Sequence, residues 1–273
     1  MNTPAVSVIM PVYNADKFLN QAIHSILNQT FTDLEFIIIN DGSEDKSKEI
    51  IKGYQDSRII YLENTRNEGL VPSLNKGISA AKGKYIARMD ADDIALESRL
   101  QMQIDFFEQN PKALVLATPV KLINEHNEDI GSWSHDIQHI LPESIRNFLP
   151  VNNCIAHPTV MIKADLLKKY KYNHSQKLSE DYDLWLRLSA DKIAIYKLKE
   201  PLLLHRILQT SFTRKTGKNL FFKLMTVKFR FVIQQLRKGK LTVFAVKTFA
   251  TALLDCLKGV GKAIKKIIVP KNV

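Results

Sequence analysis

Apolar and polar positions alternate in blocks along the first part of the chain. Residues 5–13, AVSVIMPVY, form a short β-rich apolar run; after Asn14, ADKFLNQAIHSILNQ places Phe18, Leu19, Ala22, Ile23, Ile26 and Leu27 at helical spacing. LEFIIIN, 34–40, has the composition of a buried strand. SEDKSKEIIKGY opens with Ser43 in a cap position and sets Ile50, Ile51 and Tyr54 on one face, which predicts a second helix. A strand near 58–62, a helix near 70–82 and a strand at 85–89 continue the pattern. Such alternation predicts an α/β fold, a mostly parallel central sheet flanked by helices on both faces.

Three of these strands end in polar clusters: PVYN with Pro11, Tyr13 and Asn14, INDGS with Asp41, and MDADD with Asp90, Asp92 and Asp93. Open parallel sheets bind ligands outside the carboxyl ends of their strands, so the three clusters are expected to face one crevice. Tyr13 offers an aromatic face for a base, and Asp41 a carboxylate that can accept from a base N–H or a ribose hydroxyl. Three carboxylates within four positions raise one another's pKa and require a neutralising partner. As hard oxygen ligands they suit Mg²⁺ or Mn²⁺, ions that are typically shared with substrate phosphates. The implied ligand is a nucleoside diphosphate held through a metal. Two plainer readings stay open: NDGS is also an ordinary turn, and Asp93 can cap the helix that follows. No GxGxxG follows the first strand, and KGVGKAIKK (258–266) lacks the Walker A spacing, which argues against a phosphate site built from glycine amides.

Length and composition fit this picture. A chain of 273 residues that is 45% hydrophobic holds one large domain, with or without an appendage, and is not disordered. Cys154 and Cys256 have neither framework nor zinc spacing, so a reducing, cytoplasmic setting is expected. The N-terminus lacks the basic region and long apolar run of a signal peptide, and no uncharged apolar stretch approaches the ~18 residues of a spanning helix. The net charge of +11 is unevenly spread: residues 214–273 carry 15 Lys and Arg against Asp255 alone, a balance of +14, whereas the remaining 213 residues carry 24 basic and 27 acidic side chains, a balance of −3. The chain therefore divides into residues 1–212 and a basic, amphipathic, helical tail over 213–273.

The segment VSVIMPVYNADKFLNQAIHSILNQTFTDLEFIIINDGSEDKS, followed by NEGLVPSLNKGISAAKGKYIARMDADD, closely resembles the nucleotide-binding half of the family 2 (GT-A fold) inverting glycosyltransferases. The resemblance runs over roughly residues 5–212. It implies a GT-A, Rossmann-like fold with a nucleotide-sugar half (1–115) and an acceptor and catalytic-base half (116–212). It also implies that Pro11, Tyr13 and Asp41 line the base pocket, that Asn14 is among the residues that bind the nucleotide sugar, and that Asn75 lies near the ribose and diphosphate. Asp90 and Asp92 would form the DxD motif, with Asp92 the preferred direct metal ligand. Asp93 is left between ligand, ribose contact and cap.

In the second half, LSEDYDLWLRLSA (178–190) predicts a helix starting at Asp181 or just before it. Glu180 and Asp181 then stand at its N-terminus, where the helix dipole favours ionised carboxylates. The resemblance marks this pair as the ED motif, with Asp181 as the base that deprotonates the acceptor hydroxyl; by themselves the two acids could equally cap the helix. His157, beside Pro158, is expected to play a structural hydrogen-bonding role. Many relatives carry a late YRIHxxQTS segment whose His contacts the metal or diphosphate. Here LLHRILQTSFT is two residues shorter, so either His205 takes that place or the aspartates act alone. A QxxRW sequence, the mark of processive synthases, is absent, which points to transfer of a single sugar.

Interleaved cations and aliphatics in the tail resemble helices that lie on an anionic membrane surface. A cap on the domain and a homodimer contact are the competing readings, and no nucleic-acid reader motif is present. The resemblance, taken with the tail, implies a metal-dependent inverting transferase moving one hexose or N-acetylhexosamine, UDP-linked in the donor, to a lipid-linked or surface-glycan acceptor at the inner face of the cell membrane. The alternative from another class is a catalytically silent glycan-assembly or membrane scaffold with the same fold.

Overall fold

The alternating blocks become β1 (Val6–Val12), α1 (Asp16–Leu27), β2 (Leu34–Asn40), α2 (Ser47–Gly53), β3 (Ile59–Glu63), α3 (Leu70–Ala80) and β4 (Tyr85–Arg88) in a computed structural model that describes residues 3–176, 179–208 and 220–268. β5 (Ile94–Ala95), α4 (Arg99–Gln109), β6 (Val115–Ala117), β7 (Val120–Ile123), β8 (Asp129–Ser132), α5 (Ser134–Gln138) and α6 (Pro142–Phe148) follow. A 3₁₀ turn at His157–Thr159 leads into β9 (Met161–Lys163), α7 (Ala164–Tyr170), α8 (Glu180–Ala190), β10 (Ile195–Lys197), β11 (Leu203–Arg206), α9 (Leu220–Arg237) and α10 (Val243–Ile268).

Seven strands form the main sheet in the order β10-β6-β9-β4-β1-β2-β3. β1, β2, β3 and β4 pair in parallel, as expected, while β9 runs antiparallel to both β4 and β6. A smaller sheet, β5-β11-β7-β8, stands beside it. Alternate residues of β2 serve opposite faces: Ile37 and Ile39 pack with Leu74 and Ile78 of α3, whereas Phe36 and Ile38 pack with Leu19, Ile23 and Ile26 of α1. Strands covered on both sides need the continuous apolar sequence seen in LEFIIIN. The order reverses at β1, between β2 and β4, and the ends of these three strands carry Pro11–Asn14, Asp41 and Asp90–Asp93.

Two expectations need correction. Ser43 does not cap α2, which begins at Ser47; the Ser43 hydroxyl instead accepts from the Asn14 N–H at 3.1 Å. Nor does Asp93 cap α4, because its carboxylate is drawn into the site described below. Gly42 of the INDGS turn has φ +67°, and a Cβ there would lie 2.4 Å from the Arg66 carbonyl carbon, so the turn requires glycine.

The basic C-terminal segment forms a two-helix hairpin over its described residues. Leu224, Val227, Phe231, Phe244 and Ala245 join the same core cluster as Leu184, Trp185 and Leu188 of α8. Lys228 is buried: its ammonium donates to the Val151 carbonyl at 2.7 Å and to Asp255 at 2.6 Å, so one of the tail's cations and its single acid neutralise each other inside. Residues 209–219, including the QTS of LLHRILQTSFT, lie outside the described residues.

Candidate functional site

The loop that leaves β4 turns sharply through Asp90, Asp92 and Asp93. Asp90 pairs with the Arg88 guanidinium, which is itself buried within the sheet. Asp93, fully buried, accepts from the Arg206 N–H at 2.8 Å and lies 3.0 Å from His205 Nδ1. β11 therefore crosses from the second sheet to fasten the loop. One ligand atom each from Asp90, Asp93 and His205 lies within 4.8 Å of the others. Asp92, the aspartate preferred from sequence, stands outside that trio. Burial, then the charges of Asp93 and Asp90, push its carboxyl up to about 7. The Asp93, Asp90 and Asp92 carboxylates in turn raise His205 to about 9 against the opposing effect of its burial, which is the largest single influence.

Arg206 holds the backbone of this turn. Its Nε donates to the Asp92 carbonyl at 2.8 Å, its other nitrogens to the Asn124 carbonyl and Gln21 Oε1 at 2.9 Å, and its plane lies 4.2 Å above the Phe18 ring. Arg206 is not among the residues expected from sequence, although the adjacent His205 is; a His and an Arg side by side at a strand end are the signal that marks it.

The remaining predicted residues surround this centre. Tyr13 is 46% exposed beyond the end of β1, and Asn14 takes a left-handed φ of 48° while its Oδ1 accepts from the Glu44 N–H at 2.9 Å. Asp41 is buried and already accepts from Asn64 Nδ2 and from the N–H groups of Glu68 and Gly69 at 2.7, 3.0 and 2.8 Å. It fixes the 64–69 loop, with one of a carboxylate's roughly four acceptor positions left over. The Asn75 amide exchanges two hydrogen bonds with the Tyr172 backbone, at 2.9 and 3.0 Å, and so anchors the loop that leads towards α8. His157 pairs with the Tyr172 hydroxyl at 2.7 Å; burial keeps the imidazole far below its ordinary pKa and hence neutral, in keeping with the structural role expected for it.

α8 is entered through Ser179, at a left-handed φ of 61°, an unusual conformation for serine immediately before Glu180 and Asp181. Glu180 is buried and pushed up to about 8, by burial first and by Asp181 second. Asp181 is half-buried, and burial raises it too, although the Tyr182 N–H, the Asn153 amide and Arg88 oppose the shift. Asn153 Nδ2 reaches Asp181 at 2.9 Å. The helix N-terminus thus does not outweigh desolvation at Glu180, which is largely protonated at neutral pH. Arg88, paired with Asp90, also stabilises the charged forms of Glu180 and Asp181, so one buried cation joins the aspartate loop to the acid pair.

A separate groove of about 910 Å³ runs between α1 and residues 94–98, lined by Asn20, Gln21, His24, Asn28 and Tyr54; none of the predicted site residues borders it.

Residues 7–170 match the family model described as Glycosyl transferase family 2. The O-antigen biosynthesis glycosyltransferase WbnJ of Escherichia coli is 33% identical over 265 residues, covering 96% of this chain and 97% of that protein. An uncharacterized glycosyltransferase, MJ1057 of Methanocaldococcus jannaschii, is 39% identical over 211 residues, 76% of this chain and 72% of that one. Among solved structures, S. aureus TarS 1–349 in complex with UDP-GlcNAc superposes with a TM-score of 0.71 at 17% identity, over 92% of this chain and 72% of that one. The mannosyltransferase PcManGT from Pyrobaculum calidifontis, in complex with GDP-Man and Mn²⁺, gives 0.60 at 15% identity, over 96% and 76%.

Proposed function

The chain belongs to glycosyl transferase family 2, and on that premise we propose that it is a metal-dependent, inverting enzyme that moves one hexose or N-acetylhexosamine from a UDP-sugar to a lipid-linked or surface-glycan acceptor. The observation that carries this reading is the gathering of Asp90, Asp93 and His205, a cluster able to hold a cation, beside the carboxyl end of β4 in the parallel part of the sheet. The acceptor class is suggested by WbnJ, a glycosyltransferase of O-antigen biosynthesis, and the donor class by the UDP-GlcNAc bound in TarS.

The donor set fits a divalent ion. Two carboxylates and an imidazole, from Asp90, Asp93 and His205, would hold Mg²⁺ or Mn²⁺, and the histidine favours the latter. Asp92, pushed up to about 7 by burial and then by Asp93 and Asp90, is where added positive charge has the most to neutralise. When bound, the ion supplies counter-charge for a departing diphosphate.

The chain's own residues do the rest. Tyr13, Pro11, Asn14 and the remaining acceptor capacity of Asp41 receive the base, and Asn75 keeps the Tyr172 loop in place beside the ribose and diphosphate. Asp181 takes the proton of the acceptor hydroxyl as that oxygen attacks the anomeric carbon from the face opposite the diphosphate, which inverts the centre. Its raised pKa makes it a stronger base than an exposed aspartate, and Asn153 orients it.

The test combines calorimetry with a transfer assay using a panel of UDP-sugars. Asp181→Asn should bind UDP within a few-fold of the parent and lose on the order of 10²- to 10⁴-fold in turnover. Undiminished turnover would remove Asp181 as the base. UDP binding that survives EDTA unchanged would remove the metal.

A further inference from the structure

Of the sixteen large hydrophobic side chains exposed among the described residues, ten lie between Ile233 and Val260, on the C-terminal hairpin. α10 carries two strips. Ala245, Thr248, Ala252 and Asp255, at helical spacing, are buried towards α9 and the domain. Val246, Phe249, Leu253, Leu257 and Val260 repeat at the same spacing on another side and are exposed, Leu257 by 68%. A helix that only caps a domain needs the first strip. The second runs for about 21 Å of helix.

Charge identifies what covers it. Lys247, Lys258 and Lys262 are exposed on one further side of the helix, reached from the apolar strip across the exposed Val243 and Leu254, with no acid paired to them among the described residues. Asp255, the single acid after residue 213, is buried against Lys228 and offers nothing to the surface. Two copies of this face would set lysine against lysine, whereas an anionic bilayer matches both the apolar strip and its cations.

We propose that the outer face of α10 is a docking surface for anionic phospholipid, with the helix lying in the interfacial plane and Val246, Phe249, Leu253, Leu257 and Val260 inserted among the acyl chains. The inner face keeps its grip on the domain. From α9, Lys228 donates to the Val151 carbonyl and Arg230 to the Ser175 carbonyl and Gln176 Oε1 at 2.8 and 2.9 Å, so the hairpin is tied to the loop after α6 and to the loop that leads into α8. Docking would therefore hold Asp181 at a set height above the lipid surface, a consequence that rests on the transferase reading; the docking itself does not.

Co-sedimentation of the full chain with phosphatidylcholine vesicles, with and without phosphatidylglycerol, tests this without any sugar substrate. The parent should partition onto the anionic vesicles and leave them as salt rises. Replacing Lys247, Lys258 and Lys262 by Gln should lower the partition coefficient on the order of 100-fold, at about 1 kcal/mol for each cation. Leu253→Gln with Leu257→Gln should lower it on the order of 10-fold or more. Unchanged circular dichroism and UDP binding in both variants would show that the fold is intact. Equal binding to neutral vesicles, or full binding by the lysine variant, would overturn the proposal. So would a parent that ignores both vesicle types but forms a dimer in light scattering that Leu257→Gln dissolves.

Discussion

Glu180→Gln should make the protein more stable above neutral pH, although the residue stands in the candidate site. The carboxyl is buried, its Oε1 is 3.8 Å from His157 Nδ1, beyond hydrogen-bonding reach, and that imidazole is neutral. Burial and Asp181 raise the acid from 4.5 to about 8. Between those values the folded chain binds a proton that the unfolded chain has released, so stability falls as pH rises, by about 1.4 kcal/mol per unit. The stability is thus fully present below about 4.5 and lost by pH 8, a penalty on the order of 4 kcal/mol at pH 8. Glutamine cannot ionise and escapes it.

Urea unfolding of parent and variant at pH 5 and pH 8 measures the effect. The two should be close at pH 5 and separate at pH 8 in favour of the variant, and thermal unfolding at pH 8 should show a melting difference on the order of 10 °C. A stability gap that is the same at both pH values, or a variant that is the weaker at pH 8, would refute the view that Glu180 is held uncharged against its preference.

Two further perturbations probe the supports of the site. Lys228→Met or Asp255→Leu alone should cost about 3–5 kcal/mol by leaving a buried charge unpaired, and the double variant should recover most of it; single losses below about 1 kcal/mol in denaturant titration would mean that the hairpin is not docked through this pair. Arg206→Lys keeps the charge but gives up the planar fork that holds the Asp92 and Asn124 carbonyls and Gln21. It should weaken UDP binding in the presence of Mn²⁺ by roughly tenfold, as a loss of about 1–2 kcal/mol predicts, and unchanged calorimetric affinity would show that the loop holds itself.

The parallel half of the sheet was legible because each strand and helix from β1 to β4 declares itself within its own few residues, and the polar strand ends follow directly. β9 was not. Three residues, Met161–Lys163, are too few to show a period, and their antiparallel place between β4 and β6 comes from pairing with chain some 50 to 80 positions earlier. The tail stayed ambiguous for a different reason. Helical periodicity reports that a face is apolar without saying what it meets, so Leu224, Val227 and Phe231, which face the core, could not be told from Val246, Leu253 and Leu257, which are exposed. Counting charges has the same blindness, since Lys228 adds to the total but never reaches the surface.

At the aspartates the difficulty is one of direction. A DxD pattern invites the reading that its two acids act together, because spacing by two puts them on one side of an extended chain. After β4 the chain is no longer extended. It turns, Arg206 captures the Asp92 carbonyl, and Asp93 is buried against His205 and the Arg206 N–H, contacts that span 112 to 114 positions of sequence. Those partners, on a strand of the second sheet, decide which carboxylates gather beside Asp90, and only the fold brings them there. Arg88 works in the same way from behind: a residue that reads as the last apolar-flanked position of a strand becomes the buried cation that ties Asp90 to Glu180 and Asp181. Three acids that would repel one another as an isolated peptide are therefore held by two arginines, each fixed within the protein. That arrangement leaves Asp92, outside the trio and resisting ionisation, as the position where the charge of a bound cation and diphosphate would be felt most strongly.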